Sequence, residues 1–393
     1  MSVSPRVHTI SGGRVLTPAG WVRADLVLEG TRIARVGRGL GAGGREIAAT
    51  GLLVVPGLID LQVNGGYGYD FTSAPDAIWS VGALLPRNGV TAFLPTIVSS
   101  PPGDVRRALE VLAAGPPAGY RGAQPLGLHC EGPMLSPRRR GAHLARHLRP
   151  PSLEVIDGWS AEAGVRMVTL APELDGARPV IRELRERRIV VSIGHSDATF
   201  EQAIEAFDAG VGAGTHLFNA MSGFHHRAPG VVGALLYRAD VVAGLIADGP
   251  HVHPAAVAAA WRVKGPRGIS LVTDAVAAVG VPPGVDISLA GSSLTSSGSE
   301  VRDANGVLAG SALTLDRAVR NLVVFAGAAP EEAILAATQT PAALLRERGL
   351  GVIEAGAFAD LVLLDPDLEA VATIVRGEVA FDRRSASGSV DGR

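Results

Sequence analysis

The middle of the chain and its two ends carry different patterns of apolar and polar positions. Residues 7–55 alternate between the two classes and are punctuated by glycine, as in Arg14-Val-Leu, Asp25-Leu-Val-Leu-Glu-Gly and Arg32-Ile-Ala-Arg-Val-Gly. Period-two alternation between Gly-rich turns predicts short antiparallel strands. The same texture returns in Ala359-Asp-Leu-Val-Leu-Leu-Asp and Ile374-Val-Arg-Gly-Glu-Val-Ala-Phe. Isolated pairs of strands are marginal in water, so both ends are expected to pack into one small β-sandwich. The polar residues 383–393 read as a disordered tail.

From about Pro56 the period changes. Short apolar runs at Gly57–Val63, Gly89–Thr96, Pro125–Glu131, Val165–Leu170, Ile189–Gly194, Gly210–His216, Val241–Ala247 and Ile269–Thr273 alternate with amphipathic stretches such as Pro75–Asn88, Thr199–Ala209 and Pro254–Lys264. That alternation is the signature of a parallel sheet covered by helices. Eight strands is the number that closes a barrel. The predicted fold is therefore α/β, a (β/α)8 TIM-type barrel over residues 56–354, with the β-sandwich built from residues 1–55 and 355–393. Two more helices are expected near Leu313–Phe325 and Glu331–Leu345. The alternative, an open doubly wound sheet, lacks a glycine-rich fingerprint after its first strand.

At 393 residues, 47% of them hydrophobic, the chain can bury a large core. Its formal charge of −2 provides no global field for nucleic acid or an anionic membrane. Cys130 is the only cysteine, which excludes an intrachain disulfide. The sequence has neither a leader-like apolar core nor a run of the roughly 18 apolar residues needed for a membrane span. A cytoplasmic enzyme with no nucleic-acid or membrane partner is the expectation. Lys264 is the only lysine and closes a predicted helix, where it reads as a solvated C-terminal charge.

In a barrel of this kind, functional side chains sit where strands end. Those positions hold Asp60-Leu-Gln62-Val-Asn64, His129-Cys130-Glu131, His195-Ser-Asp197, His216-Leu-Phe-Asn219, Asp248-Gly-Pro-His251 and Asp274. His195 and His216 end consecutive runs 21 residues apart, about one strand–helix unit, so their imidazoles emerge side by side. With Glu131 they make an oxygen and two nitrogens, a set suited to catalytic Zn²⁺ with one open position. Fe²⁺ or Mn²⁺ can use a similar set. Cys130 is a competing ligand or nucleophile, but strand alternation turns it from the face of His129 and Glu131, so a buried thiol is expected. His129 reads either as a partner of that site or as a hydrogen-bonded core residue. Asn219 and Ala220 open the loop after the sixth run, where backbone N–H groups can meet an anion. Arg227 can grip a phosphate bidentately. Five arginines between Ser136 and Pro150 read as a solvated lid, since a nucleic-acid surface would interleave aromatics and spread more widely.

Five motifs in order, Pro56-Gly-Leu-Ile-Asp60, His129-Cys-Glu-Gly-Pro, Gly194-His-Ser-Asp-Ala-Thr, Thr215-His-Leu-Phe-Asn-Ala-Met and Leu271-Val-Thr-Asp-Ala, resemble the amidohydrolase superfamily over roughly residues 50–365. Within it the chain is similar to the N-acetylglucosamine-6-phosphate deacetylases. The resemblance implies that Glu131, His195 and His216 hold one divalent metal, Zn²⁺ first, with Fe²⁺, Mn²⁺ or Co²⁺ as alternatives. It implies Asp274 as general base and acid. His143 would hold the carbonyl or the sugar, with an exposed loop histidine as the alternative. Ala142, Asn219, Ala220, His251 and Leu308 would border the phosphorylated amino sugar. Arg227 would reach its phosphate, in some members from the other subunit of a homodimer. Many amidohydrolases carry His-x-His after the first strand for a second metal; Gln62-Val-Asn64 stands there instead, and neutral amides are poor ligands. The implied reaction converts N-acetyl-D-glucosamine 6-phosphate to D-glucosamine 6-phosphate and acetate in amino-sugar catabolism. The alternatives are the galacto epimer, another N-acylated amine, or a barrel that binds without catalysing.

Overall fold

The computed structural model describes residues 7–41 and 44–386. Its centre is a ring of eight parallel strands: β1 (Leu58–Val63), β2 (Val90–Val98), β3 (Leu128–Glu131), β4 (Val165–Leu170), β5 (Val190–Ile193), β6 (Ala213–Gly214), β7 (Val242–Leu245) and β8 (Ile269–Leu271). They pair in sequence order from β1 to β8. Just beyond β8, a parallel bridge from Val63 to Ala275 closes the ring. Asn64 N–H donates to the Ala275 carbonyl at 2.7 Å. Thr273 Oγ1 donates to Asp60 Oδ2 at 2.6 Å and Thr273 N–H to Asp60 Oδ1 at 3.3 Å. Burial pushes the Asp60 carboxyl up to about 7, against the pull of these hydrogen bonds. Asp60 is thus a tie between the first and last strands.

Seven of the eight expected runs contain their strands; the second strand continues two residues past the expected Thr96, to Val98. The sixth is the shortest, two residues, and by His216, whose φ is 34°, the backbone has left the extended region. Helices Pro102–Ala114, Ala177–Glu186, Phe200–Ala209, Gly230–Tyr237, Pro254–Gly268 and Leu315–Ala326 cover the ring. Thr199 and Gln202 form a capping box that fixes where the helix after β5 begins. None of the helices among the described residues is long and apolar enough to cross a membrane.

Three expectations about helices need correction. The stretch Pro75–Asn88 is a short α-helix, Ala77–Gly82, followed by a 3₁₀ turn, Leu85–Asn88. The stretch Glu331–Leu345 is two helices, Pro330–Ala336 and Gln339–Leu344. Pro341 lacks an N–H and its ring would clash with the carbonyl four residues back, at Ala337, so one continuous helix cannot pass. Lys264 is not a solvated charge. Its Nζ donates to the carbonyls of Arg238 and Val241, both at 2.6 Å, and burial pushes the ammonium down to about 8.

The terminal segments form two sheets. One runs Arg32–Gly37, Asp25–Glu29, Val7–Ser11, Arg45–Ala48; the other runs Glu378–Asp382, Ala370–Val375, Leu361–Leu364, Leu53–Pro56, Arg14–Thr17, Gly20–Arg23. In the second sheet Leu53–Pro56 lies between an N-terminal and a C-terminal strand, so both ends of the chain are needed to complete it. Ile10, Leu26 and Ile33 of one sheet pack with Val54, Leu361 and Ile374 of the other. The expected tail begins as a helical turn, Arg383–Ala386, with Arg383 bonded to Asp365 at 2.8 Å; residues 387–393 lie outside the described residues.

A three-stranded sheet, Ile287–Leu289, Ser292–Ser296 and Val301–Asp303, follows β8 and was not expected. Its serine-rich, weakly apolar sequence carries little periodicity. Its small core includes Val276, Leu294 and Val301, and also Val98 at the end of β2. It therefore sits against the mouth of the barrel.

Candidate active site

The strand ends converge on a cavity of about 480 Å³. Glu131 ends β3, while His195 and His216 lie just past β5 and β6. His195 Nε2 is 3.1 Å from Glu131 Oε1, His216 Nε2 is 3.0 Å from the same oxygen, and the two nitrogens are 3.1 Å apart. All three residues are buried. Ligand atoms around tetrahedral Zn²⁺ stand about 3.3 Å apart, and around an octahedral first-row ion about 3.0 Å apart, given bond lengths near 2.0–2.2 Å. The observed triangle fits a single divalent ion of either geometry.

A backbone hydrogen bond settles the tautomer of the neutral His195 ring. His195 Nδ1 lies 2.9 Å from the Arg139 carbonyl, which can only accept, so Nδ1 carries the proton and Nε2 is bare toward the centre. His216 Nδ1 is buried without a hydrogen-bond partner. Burial raises the Glu131 carboxyl, but without a metal the imidazoles of His195 and His216, donating from Nε2 when protonated, outweigh this and hold it well below the usual range.

His143 is not an exposed loop residue; it is buried and stacks edge-on against His195 at 4.4 Å between ring centres. The Ser99 N–H donates to its Nδ1 at 3.3 Å, with Ser99 Oγ at 2.9 Å. A backbone N–H cannot accept, so the neutral ring carries its proton on Nε2, which lies 3.9 Å from Glu131 Oε2. Burial first, then the neighbouring His195, pushes His143 down to about 3, so it stays neutral and can donate from Nε2. His251 donates from Nδ1 to Asp248 Oδ2 at 2.6 Å, and its backbone N–H reaches Oδ1 at 2.8 Å. His251 lines the cavity, and Asp248 takes up its Nδ1 but not its Nε2.

Asp274 follows β8 and lies beside the triad. Asn64 Nδ2 donates to its Oδ1 at 2.6 Å and Gln62 Nε2 donates to the same oxygen at 3.1 Å. Burial and the nearby Glu131 charge push Asp274 up to about 6, with His216, His251 and Asn64 opposing. A carboxylate in that range suits proton transfer near neutral pH.

Ala142, His143, Asn219, Ala220, His251, Asp274 and Leu308 all line the cavity with the three metal-type residues. Arg227 does not: it is exposed, on the loop after β6. Cys130 and His129 stay in the core. Burial pushes the Cys130 thiol far up. His129 Nε2 is 2.7 Å from Thr169 Oγ1, and its Nδ1 is 3.4 Å from Thr96 Oγ1. The arginine-rich loop is solvated only in part: Arg138, Arg146 and Arg149 are exposed, whereas Arg139 and Arg140 are half-buried. Arg139 pairs with Asp197 at 2.8 Å, and Arg140 donates to the His143 carbonyl at 2.8 Å. Sequence reasoning missed the Arg139 carbonyl and Ser99, because backbone groups and small hydroxyls leave no motif. It also missed Leu289, Ala290 and Arg302, which the unexpected sheet brings to the cavity.

A larger cavity of about 620 Å³ lies alongside, between helix Pro102–Ala114 and residues 149–159. It has the greater volume but none of the ligand triad, so chemistry places the site in the smaller one.

The amidohydrolase family matches residues 53–385. The chain is 38% identical to human N-acetylglucosamine-6-phosphate deacetylase over 402 residues, covering 96% of this chain and 95% of that protein. It is also 38% identical to N-acetylgalactosamine-6-phosphate deacetylase of Escherichia coli O157:H7, covering 95% of this chain and 99% of that one. The fold superposes on N-acetyl-D-glucosamine-6-phosphate deacetylase of Mycobacterium smegmatis, solved as an aspartate-to-alanine mutant in complex with N-acetyl-D-glucosamine-6-phosphate, with a TM-score of 0.86 and 35% identity over 96% of this chain and 100% of that one.

Proposed function

Since this chain belongs to the amidohydrolase family, we propose that it hydrolyses N-acetyl-D-glucosamine 6-phosphate to D-glucosamine 6-phosphate and acetate. The observation that carries the reading is the meeting of Glu131 Oε1, His195 Nε2 and His216 Nε2 within 4.8 Å of one another, beside Asp274 in one cavity. A divalent cation held by those three atoms, Zn²⁺ in our reading, lowers the pKa of water from 15.7 toward about 7 and polarises an amide carbonyl. Asp274 takes a proton from water as its oxygen attacks the carbonyl carbon. The C–N bond then breaks, and Asp274 returns the proton to the departing nitrogen, giving acetate and the free amine. The Nε2–H of His143 donates to the carbonyl oxygen. His251, fixed by Asp248, accepts from a sugar hydroxyl, and Ala142, Asn219, Ala220 and Leu308 shape the remaining wall.

The test is release of free amine from N-acetylglucosamine 6-phosphate by Zn²⁺-reconstituted protein, run beside unphosphorylated N-acetylglucosamine and N-acetylgalactosamine 6-phosphate. Strong preference for the phosphorylated gluco sugar is expected. Equal turnover of the galacto epimer would assign the second reading, which the E. coli relative supports at the same identity. No turnover of any of the three would remove both.

The phosphate is proposed to meet Arg227 of a second subunit in a cytoplasmic homodimer, because Arg227 does not line the cavity of its own chain. Arg227→Ala should then raise KM for the phosphorylated sugar about ten-fold, the worth of one charge-assisted hydrogen bond, and spare the unphosphorylated sugar. Equal effects on both sugars would count against a phosphate contact.

A further inference from the structure

Two buried amides occupy the space between Glu131 and Asp274. Gln62 Nε2 is 3.1 Å from Glu131 Oε1 and 3.1 Å from Asp274 Oδ1, while Asn64 Nδ2 is 2.6 Å from that same Oδ1. Both residues are 2% exposed. They lie two apart along β1 and its end, hence on one face. Ionised carboxylates only accept, so the NH₂ groups must be the ends that face them; a reversed amide would set oxygen against oxygen at these distances. Among the described residues no hydrogen bond reaches Asp274 Oδ2, and Asp274 borders the cavity. One oxygen of the base is saturated and the other is left for the reaction. The amide-bearing strand is itself pinned to the base's segment by the Asn64 N–H to Ala275 carbonyl bond of 2.7 Å.

We propose that Gln62 and Asn64 are positioning residues that do the work of a second cation: their N–H groups hold Asp274 by Oδ1 so that Oδ2 faces the water and the leaving amine, and Gln62 ties that base to the metal ligand Glu131. The inference rests on the proposed deacetylation with Asp274 as base. A cation between two carboxylates would screen their repulsion and fix their spacing. Amide donors perform both tasks with partial charges, and Gln62 contacts both carboxylates at once. Donors to an ionised carboxylate favour the ionised form, which opposes the burial and the Glu131 charge acting on Asp274. The arrangement also accounts for why two neutral amides suffice where His-x-His would bring a metal.

Asn64→Asp tests this with a side chain of the same shape that replaces the donor by an acceptor. In the Zn²⁺-loaded variant, kcat for N-acetylglucosamine 6-phosphate is expected to fall about 100-fold with KM nearly unchanged. The acid limb of its pH profile should move up by about one unit or more, because a neighbouring carboxylate raises the pKa of the base. Metal should remain at one per chain, and the thermal midpoint should stay near that of the wild type. Gln62→Met supplies a readout independent of turnover: chelator competition should show metal bound about 10–100-fold more weakly, as when a partner orienting a ligand is removed. An Asn64→Asp enzyme with wild-type kcat and acid limb overturns the role of Asn64, and so does a lower thermal midpoint with the acid limb unmoved, which is what a structural role alone would give. Unaltered metal affinity in Gln62→Met overturns the tie to Glu131. Wild-type turnover of the sugar phosphate decides the reading of the reaction separately from either variant.

Discussion

Asp274→Asn is expected to keep its metal and lose about 10²–10⁴-fold in kcat, the usual contribution of a general acid–base group. The substitution changes almost no volume. Gln62 and Asn64 present N–H groups to Oδ1, so the new amide would turn its oxygen toward them and its NH₂ into the cavity. A donor then stands where water needs an acceptor, and no proton can be stored for the leaving nitrogen. The same reasoning fixes the sign of the pH dependence. The base works ionised, so wild-type kcat/KM should fall as pH drops through the pKa of Asp274, which burial and Glu131 raise to about 6. The charge of a bound cation pulls that limb lower. In the variant the limb should vanish, leaving a low and flatter profile. The measurements are metal content by atomic emission and kcat across pH 5–9; more than a tenth of wild-type kcat with metal present would sink the assignment of the base.

What the sequence revealed about this site and what it concealed differ in physical kind. Strands and covering helices were legible because burial on both faces writes continuous apolar runs, as in Val241–Ala247. Glu131, His195, His216 and Asp274 were legible because ionisable side chains at the ends of such runs have few structural excuses. Their backbone conformation was not. His195, His216 and Asp274 adopt positive φ of 48°, 34° and 52°, a region that L-residues avoid, at a cost of order 1–3 kcal/mol each. That twist re-aims each side chain from the strand face into the cavity, and only tertiary packing can enforce it. The Arg139 carbonyl that selects the His195 tautomer was equally invisible, since any residue would supply it. Lys264 was misjudged for a related reason: its position along a helix predicts exposure, but a break at Gly265, with φ 64°, ends the regular helix and leaves the ammonium beside the Arg238 and Val241 carbonyls. Arg227 is the converse case, a residue expected from the sequence to meet a phosphate but absent from the cavity lining of its own chain.

Glu131→Gln should abolish both metal binding and turnover while leaving the metal-free protein no less stable. Glu131 is the only formal negative charge in the ligand set, and its Oε1 sits within 3.1 Å of His195 Nε2, His216 Nε2 and Gln62 Nε2. Replacing it by an amide leaves two neutral imidazoles and a weakly donating oxygen for a dication. Without metal, however, the wild-type carboxylate is a buried charge compensated only by hydrogen bonds and partly protonated imidazole, an arrangement whose desolvation cost rivals its attraction. Removing that charge relieves the cost. Saturating Zn²⁺ should therefore raise the thermal midpoint of the wild type, since binding to the folded state at 1,000 times Kd adds about 4 kcal/mol, and leave the variant unmoved. Calorimetry of both proteins with and without Zn²⁺ reads all four states. Retained metal with turnover within ten-fold of wild type would remove Glu131 from the ligand set. A metal-free variant melting well below the metal-free wild type would show that the carboxylate holds the fold together by its own hydrogen bonds, contrary to the balance of burial and attraction argued here.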